Sequence, residues 1–577
     1  MINTKAKITD FFYRISILSA MAVAIGLIAS FSVIGFIEGY LWLNDVLLIS
    51  QKSRSQNEDN QFLLNAMTII VPTIGGVIVG MIIYYLTKEK RPLTPMDTIK
   101  IAQFGGKEPA VKSGFTSTIA AMLSLGVGAS VGQYGPMVYL GSLLGSVVSK
   151  LKFKIQNIQT IAIACGVAAC IATALNAPIG GLIFAHEVIL RHYSMQAFAP
   201  TTVASVTGFI VTNIFLDRPT LFLINFENVS FSYEFLLFAI IGMFGSLIAI
   251  IYMRLILNLT SIANSLSLPQ YLKPALAGMV LGIIAIWLPD VLGIGKETLK
   301  LATVENAFTI KELIIIITAK TLLTALCIGF GFAGGVFSPA LLIGTLFGAF
   351  FWTIINNSFG LDNSGIVVYA ICAMVAVSSP VIGAPLTMIL IVFELTRNYE
   401  LAIAAMVSAV FANLLSYRIF GRSLFDVQLK NKNIDLSQGR EEALLKKIVL
   451  AEFDKRQYVV ANIKDSIDDV IIKLTQNDKT EIAVIDDNGF LKGIIHLHKL
   501  YENKEKQLTT ITKIPKIIFK ENTTLWDAML ESRDFIGEAI AVVDADNKLT
   551  NMLSEAELMK AYFNTVHNVH KQENAIL

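Results

Sequence analysis

Apolar residues dominate the chain in long blocks, and the blocks differ in texture. Residues 15–42 and 62–86 are nearly continuous apolar runs, each long enough to cross a bilayer as a helix. A polar loop, Gln51 to Gln61, separates them, and a basic, proline-punctuated connection, Lys88 to Pro95, follows. From about 115 to 216 the apolar segments become shorter, glycine-rich and interrupted. A second such set runs from about 233 to 420, with polar breaks near Pro289–Thr298 and Asn357–Asn363. Breaks at membrane depth are tolerated only where backbone lines a cavity or is buried in protein. This texture predicts a channel or transporter rather than a set of plain anchors.

Beyond Gly421 the pattern changes. Residues 431–577 are rich in Lys, Glu, Asp and Asn and hold no span-length apolar run. Here Glu481-Ile-Ala-Val-Ile-Asp-Asp-Asn-Gly and Glu538-Ala-Ile-Ala-Val-Val-Asp-Ala-Asp-Asn each read as a strand, a turn and the start of a second strand. Amphipathic segments precede them, Ser466–Gln476 and Thr524–Glu531, and helices follow, His498–Glu505 and Ser554–Phe563. Two β-α-β-β-α units side by side predict a soluble second module.

The membrane part also writes one phrase twice. Gly128-Ala-Ser-Val-Gly132-Gln-Tyr134-Gly135-Pro136 and Gly331-Phe-Ala-Gly-Gly335-Val-Phe337-Ser-Pro339 both read G-x-x-x-G-x-[YF]-x-P. Pro136 is followed by Gly141 and Gly145, and Pro339 by Gly344 and Gly348 at the same steps. Ala177-Pro178 reaches Glu187 nine residues on, and Ala384-Pro385 reaches Glu394 likewise. Two homologous halves, about 62–216 and 233–420, are expected. Each phrase is a glycine-rich break feeding a helix whose first turn accommodates proline. The amide N–H groups and positive dipole end of such a helix attract an anion. Two of them at matching places predict one anion site at the repeat interface.

Composition narrows the classes. Hydrophobic residues make up 54% of the 577 and charged residues only 16%, with a mean hydropathy of +0.62, which no ordinary soluble protein shows. The net charge of +2 argues against a polyanion surface, so no nucleic-acid partner is expected. Cys165, Cys170, Cys327 and Cys372 lie in apolar segments without metal-ligand spacing and read as small packed residues, so no metal is expected. No nucleophile, base and cofactor ligands converge, so an enzyme is not expected. Residues 1–14, with Lys5, Lys7 and Arg14, read as a cytoplasmic N-terminus ahead of the first span, and the chain as a multi-pass cell-membrane protein.

These motifs in this order resemble the CLC family of chloride channels and proton–chloride exchangers, and the tail resembles a tandem pair of CBS domains. Gly335-Val-Phe337-Ser-Pro339 matches the family's G-x-F-x-P, and 128–136 stands where the family has G-[KR]-E-G-P. The resemblance implies an all-α polytopic membrane domain, 15–430, of two inverted repeats with broken helices, then a linker, 431–450, and a cytoplasmic α/β CBS pair, 451–577. It implies a homodimer in the lipid bilayer with one chloride pore per subunit. The pore residues it points to are Gly132, Gln133, Tyr134, Gly135, Pro136, Gly335, Val336, Phe337 and Pro339.

The departures from the family pattern carry the functional information. Tyr134 stands in place of the gating glutamate and Gln133 in place of the preceding basic residue. A phenol with an unperturbed pKa near ~10 stays neutral and can donate to an anion, but it does not compete with one as a carboxylate does. Tyr134 either lines the anion path or fills it as a packing ring. The exchanger branch resembles N-A-P-x-x-G-x-x-F followed by two glutamates. Here Asn176-Ala-Pro-Ile-Gly-Gly-Leu-Ile-Phe184-Ala-His186-Glu187-Val188 puts Val188 at the proton-loading position. Glu187, with Arg191 one turn away, reads as a structural ion pair rather than a proton relay. His186 is the nearby residue that could titrate near neutrality, although a lone His is more often structural. Spacing from Pro95 puts Pro92 where the family's serine hydroxyl stands, and Gly421-Arg-Ser-Leu-Phe425 puts Phe425 where its late tyrosine stands.

In the CBS pair, Gly493-Ile-Ile-His496-Leu-His498-Lys499 lacks the hydroxyl and acid of nucleotide-binding relatives. Asn551-Met-Leu-Ser554-Glu-Ala-Glu557 keeps Ser554 and offers Glu557. Two readings stand there: an adenine-nucleotide site at Ser554 and Glu557, or a layer that stabilises the dimer. For the pore, the absence of both usual carboxylates favours passive conduction of chloride. The alternative is a proton-coupled chloride or nitrate exchanger with a substitute path through His186 and Glu187.

Overall fold

The computed structural model describes residues 2–57, 59–105, 110–151, 157–215, 229, 231–359, 362–454, 458–533, 535 and 539–573. The side chains of 1–13, Lys5 and Lys7 among them, lie outside the described residues, as do residue 216 at the end of the first repeat and Glu538. The described residues divide into two units, 2–433 and Ile434–Glu573.

The regular elements of the first unit, among its described residues, are all helices. Its principal helices are α1 (Ile2–Val46), α2 (Gln61–Leu86), α3 (Pro95–Phe104), α4 (Val111–Gly126), α5 (Tyr134–Val148), α6 (Ile158–Leu175) and α7 (Pro178–Phe184). A π-helical turn, Ala185–Leu190, extends α7. Then come α8 (Met195–Phe215), α9 (Glu234–Ser265), α10 (Lys273–Ala285), α11 (Ile310–Gly329), α12 (Phe337–Phe359), α13 (Ile366–Ile382), α14 (Pro385–Thr396), α15 (Tyr399–Ile419) and α16 (Leu424–Lys430). Among the described residues, 8 helices are long and apolar enough to cross a membrane. The shorter ones, α5, α7, α13 and α14, are the interrupted segments that the sequence pattern predicts. The first helix begins at Ile2 rather than 15, so the expected N-terminal tail is part of α1.

The repeated glycines explain why the broken helices pack so closely. A Cβ on Gly141 would lie 2.4 Å from the Gly166 carbonyl oxygen, and one on Gly145 would lie 2.0 Å from that of Ala162. Their counterparts do the same in the other half, Gly344 against Met374 Cα at 2.6 Å and Gly348 against the Tyr369 oxygen at 2.3 Å. In both halves, then, the helix after the motif lies backbone to backbone on the next one, as small residues allow in membranes.

The second unit holds two matching three-stranded sheets. In the first, β1 (Val460–Asn462) pairs parallel with β2 (Glu481–Ile485), which pairs antiparallel with β3 (Leu491–His496) through a bulge after Val484. In the second, β4 (Ile518–Lys520), β5 (Ile540–Val543) and β6 (Leu549–Leu553) repeat that order, with the bulge after Val542. Ser466 and Thr524 cap the helices Ile467–Gln476 and Leu525–Glu531 by accepting from Asp469 N and Asp527 N, each at 3.2 Å. The expected linker, 431–450, is in part core: Leu445 and Leu450 are buried with Phe519, Ile540 and Leu553 on the second sheet. Their apolar side chains fill the open face of that sheet, which a linker would leave wet.

Candidate functional site

The two glycine phrases meet. Gly132 N donates to Gly335 O at 2.7 Å and Gly335 N donates to Gly132 O at 2.6 Å, an antiparallel bridge between the halves. Because the exchange is reciprocal, a local two-fold relates the halves at this point. A Cβ on Gly335 would lie 2.7 Å from Gly135 N, so no larger residue fits without driving the backbones apart. The bridge sets the N-termini of α5 and α12 side by side, and their first-turn N–H groups have no acceptor within the helix. Tyr252 donates its hydroxyl to Val336 O at 3.2 Å, on the side of that peptide away from Phe337 N–H.

A small cavity lies against this junction. Tyr134, Gly135, Gly335, Val336, Phe337 and Phe425 line it, as expected from the sequence. Its volume is about 40 Å³, above the roughly 10–15 Å³ that a cavity needs to hold one water. Such a space fits one small ion stripped of most of its water. The Tyr134 and Phe337 rings lie against each other, tilted by 53° with centroids 5.1 Å apart, and both are buried.

Other predicted residues support the site from outside. Gly132, Pro136 and Pro339 are not part of the cavity wall. Gln133 turns away from it, accepting the Tyr40 hydroxyl on Oε1 at 2.9 Å, so it binds α1 rather than the pore. Pro92 lines a wider opening instead, and the chain reaches the small cavity through Thr94 and Pro95. The reason is the start of α3: Arg91 grips Asp97 through two hydrogen bonds of 3.0 and 2.6 Å, which turns Pro92 outward. The wider opening, a vestibule of about 570 Å³, is lined by Lys90, Arg91, Lys273 and Lys432 against the single acid Glu89.

The pair expected between Glu187 and Arg191 is not formed. Glu187 accepts from Leu386 N at 3.1 Å, Thr387 N at 2.8 Å and the Thr387 hydroxyl at 2.7 Å, capping α14 of the other half. Glu394 returns the contact, accepting from Ile179 N and Gly180 N at 2.7 Å at the start of α7. Carboxylates at helix N-termini satisfy orphan donors and the dipole together, which outweighs a neighbouring cation on the same helix. Arg191 pairs with Asp426 at 2.7 Å, anchoring the first turn of α16 beside Phe425. His186 is buried with both ring nitrogens engaged, by His192 O at 3.0 Å and the Thr201 hydroxyl at 3.1 Å, and Val188 is buried next to it.

One supporting residue escaped the sequence reading. Lys320, in the middle of α11 and fully buried, donates to Val291 O at 2.9 Å and Gly293 O at 2.7 Å. Gly293 N in turn holds Gly128 O at 2.9 Å, and one turn on, Thr324 bonds the Ser130 hydroxyl at 2.9 Å. The lysine side chain thus braces the loop that carries the first motif. The signal was present, since an ionisable residue inside an apolar span calls for a role.

In the second unit Ser554 and Glu557 form a capping box. The Ser554 N–H and hydroxyl donate to Glu557 Oε2 at 2.8 and 2.9 Å, and Glu557 N returns a bond to the serine at 3.3 Å. On the first sheet His496 meets Glu481 at 2.7 Å across β2 and β3.

Comparison with known proteins agrees with this architecture. The chain is 27% identical over 527 residues to chloride channel protein CLC-f of Arabidopsis thaliana, a match covering 87% of this chain and 63% of that one, just under two thirds of its length. It is 26% identical to the voltage-gated ClC-type chloride channel ClcB of Escherichia coli O9:H4 (strain HS), over 70% of this chain and 97% of the relative. Among solved structures, a slow cyanobacterial Cl−/H+ antiporter matches with a TM-score of 0.65 at 22% identity, over 72% of this chain and 97% of that one. A eukaryotic CLC transporter matches over 94% of this chain and 98% of its own, with a TM-score of 0.61 at 17% identity. Residues 450–505 match the CBS domain. Residues 75–417 match the voltage gated chloride channel family, and with the bridged glycine motifs and the broken helices this makes the chain a multi-pass membrane member of that family.

Proposed function

We propose that this protein conducts a small inorganic anion, chloride by family, passively across a membrane as a homodimer with one pore per subunit. The observation that carries the reading is the cavity beside the Gly132–Gly335 bridge, sized for one dehydrated ion and facing two helix N-termini. The vestibule supplies the approach. Its excess of cations concentrates anions at the inner mouth. Its loop, Lys88 to Pro95, faces the cytoplasm by the positive-inside rule.

Passive conduction is supported by what the proton route would lack. Tyr134 replaces an anionic gate and Val188 cannot carry a proton. Both oxygens of Glu187 are committed to α14, and both nitrogens of His186 are occupied. The Tyr134–Phe337 ring contact narrows the passage and acts as an uncharged gate. In proteoliposomes with an imposed chloride gradient and simultaneous proton recording, the reversal potential should follow chloride and ignore a pH gradient. Sustained uphill proton movement would overturn this reading. Tyr134→Ala should raise flux several-fold. Tyr134→Phe, which keeps the ring, should leave the rate near that of the unmodified protein.

The second unit is proposed to regulate or stabilise the dimer. The Ser554–Glu557 box leaves the nucleotide reading open to direct test: adenine nucleotide binding by calorimetry, abolished in Glu557→Ala, would establish it.

A further inference from the structure

Four residues line both the small cavity and the vestibule: Thr94, Ile328, Gly334 and Gln428. They mark the passage through which an ion must leave bulk water for the dehydrated space. Ile328 presents only hydrocarbon and Gly334 no side chain. The polar side chains at the passage are therefore Thr94 and Gln428. Both sequence positions that could have offered a hydroxyl fail here, since Pro92 has none and lies in the vestibule, and Phe425 presents a ring.

The two polar groups are placed to serve instead. Gln428 follows Phe425 by three residues on α16, so the two share one helix face toward the cavity. The helix is anchored by Arg191–Asp426 and by Ser423, which accepts from Asp426 N at 3.1 Å. Among the described residues no protein group takes up the Gln428 carboxamide, which is half-buried at the passage. The Thr94 hydroxyl lies 3.4 Å from Asp97 Oδ2, a long contact. Asp97 already accepts Arg91 twice and Thr94 N at 3.0 Å, so it does not need that proton. Lys432 lines the vestibule just beyond.

We propose that Gln428, assisted by Thr94, is the specificity-determining side chain of this pore. Its carboxamide N–H groups replace part of the anion's hydration at the step from vestibule to cavity. A neutral donor pair holds an anion without trapping it as an ammonium would. It also offsets too little of the dehydration cost of a small, strongly hydrated ion, so bromide and nitrate pass more readily than fluoride. This rests on the anion-transport reading above.

The test is chloride and bromide binding by calorimetry in detergent, with relative fluxes in proteoliposomes, for the unmodified protein and two variants. Gln428→Met keeps the length and removes the donors. Chloride affinity should fall about tenfold, the loss expected for one hydrogen bond to an ion, and the chloride-to-bromide flux ratio should drop. Gln428→Glu should lose chloride binding near neutral pH and regain it in acid as the new carboxyl protonates, which a packing role would not produce. Should Gln428→Met fail to elute as folded protein, the pH dependence of Gln428→Glu decides. Chloride affinity and flux ratio unchanged in Gln428→Met, or pH-independent binding in Gln428→Glu, overturns the assignment while leaving anion transport standing. An unmodified protein that neither binds nor carries chloride overturns both.

Discussion

Single side chains in this protein do work that their neighbours in sequence do not reveal. Lys320 is the clearest case, a lysine buried in the membrane unit whose Nζ donates to two backbone carbonyls. Removing it leaves those carbonyls without a donor and loosens the loop carrying Gly128. Lys320→Met should lower stability by about 1–3 kcal/mol, read as a fall in melting temperature in detergent, and should reduce flux as well. Glu187 and Glu394 act as a matched pair, each capping a helix of the other half. Glu187→Gln and Glu394→Gln should each lower the melting temperature, the former by somewhat more because Glu187 also accepts the Thr387 hydroxyl. A large loss for one with none for the other would mean that the reciprocal caps are not energetically alike.

At the scale of elements, the helices work through their ends and their bare flanks. α5 and α12 bring their N-termini together because Gly135 and Gly335 let two backbones touch, and the glycines at 141, 145, 344 and 348 let the next helices close behind them. Adding a methyl at such a contact forces backbone apart, so Gly141→Ala should cost about 1–3 kcal/mol or more, seen as reduced folded yield and melting temperature. In the second unit the element to test is the start of the helix Ile467–Gln476. There the Lys473 ammonium, 2.8 Å away, holds the Asp465 carboxyl below the usual carboxylate range. A carboxyl lowered in the folded state stabilises fully above its unfolded value, near ~3.9, and loses that contribution as pH falls through the lowered native value. Hydrogen exchange of β1 and this helix in the full chain should therefore quicken in that acid range. Asp465→Asn should reduce that pH dependence, the remainder coming from Asp487, whose carboxyl Lys464 and Asn462 also hold below the usual range.

The whole molecule is two halves that complete one another. Neither half makes the cavity by itself, since Tyr134 and Gly135 come from one and Gly335 to Phe337 from the other. The same principle extends to the proposed dimer. Ile210 and Ile214 on α8, and Leu414 and Tyr417 on α15, are large apolar residues left exposed on the chain. Lipid or a second copy would cover such residues, and chemical cross-linking in mild detergent should capture the proposed dimer. Only monomers by mass measurement would count against it. Ending the chain at Asn433 should weaken assembly or regulation yet keep chloride binding, because the cavity residues all precede it.

The sequence by itself determined the membrane class, the two repeats, the change of character after Gly421 and the part of the cavity wall that the two glycine phrases supply, Tyr134, Gly135, Gly335, Val336 and Phe337. Those follow from periodicity and from glycine and proline spacing, which are local and survive in any reading frame of the fold. The strands and amphipathic helices of the second unit were legible from the same kind of local pattern. Only the tertiary structure decided partners. Arg191 is one turn from Glu187, but the orphan amides of α14 reach the glutamate first, and Asp426 takes the arginine. Gln133 adjoins the gate in sequence, yet its side chain serves Tyr40 on the first helix. Thr94 rather than Pro92 reaches the small cavity because the Arg91–Asp97 grip sets how the chain enters α3. Gln428 carried no signal at all, since a carboxamide on a short helix gains meaning only when Thr94 stands at the same passage. Local pattern fixes which elements form and which faces are apolar. Which polar group meets which depends on contacts between residues far apart in the chain, and only the folded backbone brings those together.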